Sequence, residues 1–205
     1  MSPSPLQTRT TSVDQTRALA GAVAELARPG DLLLLVGDLG AGKTAFTQGF
    51  GAGLGIDEQI TSPTFALVQG YTGRLDLNHL DVYRLEQINE ALDLGLSELL
   101  DEGSVTLIEW GDTITSALPR DYLEVSITFG DGADDRSLEL RPVGPQWQAR
   151  MRALSIALAA WAAPTDAAPT DPAPNDSPPN DSAPVDPAPG SDAGFAPGED
   201  GAGAC

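Results

Sequence analysis

The sequence predicts an α/β domain with a mostly parallel central sheet, helices on both faces and one antiparallel part. Three observations carry this. Residues 31–36 end in a continuous apolar run, LLLLV, as expected of a central strand covered on both sides. That run enters a glycine-rich turn and then a helix-like stretch, the strand–turn–helix order of parallel sheets. Further along, short strand patterns at 75–83 and 105–109 are separated by a helical pattern, whereas 122–129 and 136–140 flank a Gly-Asp-Gly turn and read as an antiparallel pair.

Taken in order, residues 1–12 are polar with two prolines and are expected to be a flexible N-terminus. From Val13 to Ala27 the residues Ala18, Leu19, Ala22, Val23 and Leu26 recur at helical spacing, with Asp14 as the expected cap and Pro29-Gly30 as the stop. The helix after the glycine-rich turn carries Phe46, Phe50 and Leu54; Gly49, Gly51 and Gly53 point to close packing or an early end. A strand is expected at 66–71. In the strand 75–83, Leu75, Leu77, Leu80 and Val82 are expected to face the core, with His79, Asp81 and Tyr83 on the opposite side. A helix is expected at 86–100, broken near Gly95, and another at 146–161 with Met151, Leu154, Leu158 and Trp161 as its buried stripe. The folded domain is therefore placed at 13–162. Residues 163–205 are rich in Ala, Pro and Asp, with eight acidic residues and no Lys or Arg, and are expected to form a disordered tail.

Composition excludes several classes. The net charge of −19 on 205 residues argues against direct gripping of nucleic acid or of an anionic membrane. No apolar run is long enough to span a bilayer, and the first residues lack the hydrophobic core of a signal peptide. Cys205 is the only cysteine, so neither a disulfide framework nor a Cys/His metal set is available. A cytoplasmic protein is the expectation.

The chemistry concentrates in Gly37-Asp38-Leu39-Gly40-Ala41-Gly42-Lys43-Thr44, which fits the phosphate-binding P-loop pattern G-x-x-x-x-G-K-[ST] and is followed by Ala45. Glycines let backbone N–H groups turn toward one anion, and the next helix adds its N-terminal partial charge. Lys43 is the only lysine in the chain; it offers a mobile charge to the β- and γ-phosphates, and Thr44 offers a hydroxyl to Mg²⁺. Thr61-Ser62-Pro63-Thr64 is a hydroxyl-bearing loop with two open readings, a phosphate-sensing switch or an ordinary turn into a strand. Asp81 lies at a strand end, where a carboxylate can orient the attacking water or hold the metal through water. Val105–Glu109 is an apolar strand that delivers a second acid, Glu109, with Trp110 next. A hydrogen-bonded structural role is favoured for His79. Lys43, Asp81 and Glu109 are the candidates for catalysis.

Four blocks in this order, GDLGAGKT (37–44), TSPTFALV (61–68), HLDVYRL (79–85) and IEW (108–110), resemble the TsaE (YjeE) family of small bacterial P-loop ATPases. The resemblance spans about residues 13–160. It implies a P-loop NTPase fold, with ATP and Mg²⁺ as cofactors. It further implies an ATPase that partners the TsaD–TsaB heterodimer in forming N6-threonylcarbamoyladenosine at position 37 of tRNAs reading ANN codons. In that family ATP hydrolysis resets the complex, the partner performs the transfer, and tRNA is met only through the complex. Carried onto this chain, residues 37–44 wrap the phosphates, Thr44 and Glu109 resemble the Mg²⁺ ligands, and Asp81 falls at the acid beside the water. Thr61–Thr64 resembles a switch segment, Trp110 a reporter of nucleotide state, and Asp14, Thr16 and Arg136 border the adenine. Ala45 departs from a second Thr common in the family.

Other functions compete on the residues alone. A small-molecule or nucleotide kinase needs an arginine-bearing lid, and Arg74, Arg84 and Arg120 are scattered. A guanine-nucleotide switch needs an [NT]-K-x-D motif, which a chain whose only lysine is Lys43 cannot supply. No arginine finger can be assigned, so slow hydrolysis alone and faster turnover in a complex are expected. A scaffold that binds ATP without hydrolysing it is the remaining alternative.

Overall fold

The computed structural model describes residues 4–63, 67–83, 100 and 103–163. Their strands are β1 (Leu6–Thr10), β2 (Leu32–Val36), β3 (Val68–Tyr71), β4 (Leu77–Asp81), β5 (Val105–Glu109), β6 (Tyr122–Phe129) and β7 (Arg136–Val143). The helices are α1 (Val13–Ala24), α2 (Lys43–Gly53) and α3 (Pro145–Ala157), with 3₁₀ segments at Gly111–Ala117 and Ala159–Trp161. The strands form one sheet in the order β1-β7-β6-β2-β5-β4-β3. Its centre, β6-β2-β5-β4, is parallel, and antiparallel pairs flank it: β3 on one side, β7 and β1 on the other. The helix expected at 86–100, apart from Leu100, and the tail expected at 163–205, apart from Ala163, lie outside the described residues.

β2 shows why the centre is buried. Leu33 and Leu35 pack with Leu19, Phe46, Phe50, Trp147 and Leu154 of the three helices, while Leu32 and Leu34 pack on the opposite face with Ile114 and Leu118. All four leucines are at most 3 % exposed, so the continuous apolar run is required by two covered faces. Between α1 and α2 the helices touch backbone to backbone. A Cβ on Gly49 would lie 2.1 Å from the carbonyl oxygen of Arg17, so the glycine is there for close approach.

Several expectations need correction. The flexible N-terminus expected at 1–12 does not hold for Leu6–Thr10, which is a full edge strand paired with β7. Its signal was hidden because the residues that turn inward, Thr8 and Thr10, are polar; Thr8 Oγ1 donates to Leu138 O, and Thr10 Oγ1 meets Thr16 Oγ1 at 2.8 Å. The C-terminal end of the described chain returns to the same strand, with Ala163 N donating to Gln7 O. The cap of α1 is Ser12, whose Oγ accepts from Gln15 N, and Asp14 sits in the first turn. In β4, His79 and Asp81 share the face of Leu77 rather than the opposite one, since residues two apart point the same way; Leu80 takes the other face, and both are covered.

One buried ion pair ties α3 to the start of β2. Arg150 Nη1 and Nη2 donate to the two oxygens of Asp31, each at 2.6 Å, and Asp31 also accepts from Arg28 N. The guanidinium lies 3.9 Å from the Trp147 ring centroid. Both side chains are nearly inaccessible, so removing one partner strands a buried charge. Arg150→Met should lower unfolding free energy by about 3–5 kcal/mol in urea titration, against under about 1 kcal/mol for exposed Arg152→Met.

Candidate active site

The parallel register sets the level of the site. Leu35 pairs with Glu109, and Glu109 pairs with Asp81, so the exits of β2, β5 and β4 lie side by side. β2 continues into residues 37–42, and α2 begins at Lys43. Gly42 caps α2 with φ +111°, and Gly40 has φ +78°, a region that side chains other than glycine rarely adopt. At Gly37 the constraint is space, since a Cβ would meet the Ile127 carbonyl oxygen at 2.3 Å.

These elements enclose a cleft of about 480 Å³, lined by Gly40, Lys43, Thr44, Ser62, Asp81 and Glu109, with Leu39, Tyr83 and Trp110 at its rim. Lys43 Nζ donates to Gly37 O at 2.6 Å and Asp38 O at 2.9 Å, and lies 3.5 Å from the Trp110 ring centroid. Burial pushes the Lys43 ammonium below its ordinary pKa, and the negative charges of Glu109 and Asp81 oppose that shift. Trp110 holds φ +63°, an uncommon value for a bulky residue, and its ring packs on Tyr83 at 4.7 Å between centroids.

The two acids are held differently. Glu109 is 3 % exposed. Its Oε2 accepts from Thr44 Oγ1 at 3.2 Å, and its Oε1 faces Thr47 Oγ1 at 3.4 Å and His79 Nε2 at 3.0 Å. Asp81 is 6 % exposed; Oδ2 accepts from Ser62 Oγ at 2.7 Å and Oδ1 from Tyr83 N at 3.1 Å. Lys43, Thr44, Asp81 and Glu109 thus meet at one opening. Of the hydroxyl-bearing loop, Ser62 reaches the cleft; Thr61 is exposed, Pro63 is buried, and Thr64 lies outside the described residues.

A small second pocket lies behind the loop, lined by Val13, Thr16, Ala41, Gly42, Ala45, Asp134 and Arg136. This brings together Thr16 and Arg136, two of the three residues expected beside the adenine. Asp14 is not among them, because its side chain points to solvent and pairs with Arg17. Arg136 also holds the loop from outside: Nε donates to Ala41 O at 2.8 Å, and the guanidinium lies 4.8 Å from the Phe129 ring centroid.

Sequence reasoning missed Thr47, one helical turn beyond Thr44, and the link from His79 to Glu109. The spacing of Thr44 and Thr47 was a usable signal, since residues three apart share a helix face.

The donor set fits a phosphate with a divalent cation. It combines one ammonium, the hydroxyls of Thr44 and Ser62 and two carboxylates at a glycine-rich helix N-terminus. No group of three or more His, Cys, Asp or Glu among the described residues forms a metal site by itself. Such a set suits Mg²⁺, which takes one or two protein oxygens and completes its shell with phosphate oxygens and water. Among the described residues, no helix is long and apolar enough to cross a membrane.

The model of the family described as "Threonylcarbamoyl adenosine biosynthesis protein TsaE" matches residues 10–138. The tRNA threonylcarbamoyladenosine biosynthesis protein TsaE of Bacillus subtilis is 43% identical over 151 residues, covering 73% of this chain and 94% of that protein. Its counterparts from Treponema pallidum and Streptomyces coelicolor are 42% and 40% identical, covering 59% and 64% of this chain and 90% and 93% of theirs. The crystal structure of Bacillus subtilis YdiB superposes with a TM-score of 0.65 at 38% identity, covering 74% of this chain and 95% of that one. On the matched residues and these relatives, the chain belongs to the TsaE family.

Proposed function

We propose that the chain is a Mg²⁺-dependent ATPase of the cytoplasm. It works with the TsaD–TsaB heterodimer in forming N6-threonylcarbamoyladenosine at position 37 of tRNAs reading ANN codons. Its turnover of ATP resets that complex for another round, and tRNA is met only through the complex. The observation that carries the reading is the convergence of Lys43, Thr44, Asp81 and Glu109 on one cleft beside the glycine-rich loop. The names of the relatives supply the pathway.

The roles follow from position. Residues 37–44 wrap the phosphates, and Lys43 exchanges its contacts with Gly37 O and Asp38 O for phosphate oxygens. Thr44 and Glu109 would hold the metal. When bound there, Mg²⁺ would offset negative charge on the phosphates. Asp81 positions the attacking water from a strand end, with Ser62 fixing its orientation. The pocket of Thr16 and Arg136 borders the base. Leu39 and Tyr83, exposed at the rim, give a partner surface something apolar to cover.

ATP hydrolysis should be slow in the isolated chain and rise by about 10-fold or more with TsaD–TsaB, because a charge supplied late by a partner stabilises the transition state. Lys43→Ala should abolish both rates. An equal rate with and without the partners contradicts the coupling. Asp81→Asn should lower kcat by about 10²-fold or more while leaving the affinity for a non-hydrolysable ATP analogue within a few-fold. A parallel loss of affinity would make Asp81 a binding residue instead.

A further inference from the structure

His79 has no role in the scheme above, yet it is fully buried against the carboxylate that carries the metal assignment. β4 places Leu77, His79 and Asp81 on one face of the sheet, and β5 places Val105, Leu107 and Glu109 on the same face. An ionised carboxylate can only accept, so in the pair with Glu109 the imidazole donates through Nε2. Nδ1 has no hydrogen-bond partner among the described residues, so the bond to Glu109 is the ring's one polar engagement there.

The bonds to Glu109 divide by oxygen. Oε1 faces inward to His79 Nε2 at 3.0 Å and Thr47 Oγ1 at 3.4 Å. Thr47 has a single proton and also faces Lys43 O at 3.1 Å, so it is a shared donor, whereas His79 is a dedicated one. Oε2 is left on the side of Thr44 Oγ1, at 3.2 Å. A carboxylate on a single strand-end side chain could otherwise rotate either oxygen toward the cleft. We propose that His79, assisted by Thr47, is a positioning residue that fixes Oε1 of Glu109 and so presents Oε2 beside Thr44 to a divalent cation. The inference rests on the reading of Glu109 as a metal ligand.

The test is the Mg²⁺ dependence of nucleotide binding in the full chain, followed by calorimetry with a non-hydrolysable ATP analogue in EDTA and across a MgCl₂ series. His79→Leu should raise the MgCl₂ midpoint by about tenfold and leave affinity in EDTA within about twofold, as expected when a ligand loses the hydrogen bond that orients it. His79→Gln places an amide N–H near the position of Nε2 and should restore the midpoint; His79→Asn, with its amide near the position of Nδ1, should not. An unchanged midpoint in His79→Leu overturns the proposal, as does an equal loss of affinity in EDTA. Should His79→Leu fail to fold, equal midpoints for the Gln and Asn variants overturn it instead. Glu109→Gln separates the two levels. If that variant keeps the wild-type midpoint, the metal role of Glu109 fails; if it loses Mg²⁺ dependence and His79→Leu does not, only the positioning role fails.

Discussion

The parallel pairing of β5 between β2 and β4 is the constraint on which the site depends. It aligns Leu35, Glu109 and Asp81 at one level, where β2 hands over to the glycine-rich loop. Side chains alternate faces along a strand, so a one-residue slip of β5 would turn Glu109 to the opposite face and bring Ile108 toward Thr44. The partners of Glu109 oppose such a slip, because Thr44, Thr47 and His79 all meet it on one face.

A carboxylate buried as deeply as Glu109 is costly unless hydrogen bonds replace its water. Three side chains do so from two elements: Thr44 and Thr47 from α2 and His79 from β4. The helix, the central strand and its neighbour are therefore bound together by the same group that faces the cleft. Asp81, by contrast, is held by the loop residue Ser62 and by the backbone at Tyr83, both next to the opening. The two acids thus differ in setting: one is locked into the sheet–helix junction, and the other depends on a loop.

Much of this was legible in the sequence because it follows from local rules. A strand, a glycine-rich turn and a helix define the loop, and the apolar run Val105–Glu109 has the bounds the structure gives it. Asp81 and Glu109 could be singled out because each closes a strand downstream of that loop. What stayed hidden depended on tertiary context. β1 reads as polar, since its inward residues are threonines satisfied by β7 and α1. The face of His79 was misjudged because its polarity was taken to separate it from Leu77, whereas β4 is covered on both sides and alternation puts the two on one face. The grip of Arg136 on the loop carbonyls joins residues nearly a hundred positions apart, which no local pattern encodes.

The measurement that bears most directly on the central claim is a crystal structure with a non-hydrolysable ATP analogue and Mn²⁺ in place of Mg²⁺, the metal located by its anomalous scattering. The account predicts one metal peak at Thr44 and Glu109, with the phosphates inside residues 37–44 and Lys43 turned from its loop carbonyls toward them. A nucleotide seated away from the glycine-rich loop, or a metal that leaves Glu109 without contact, would contradict it.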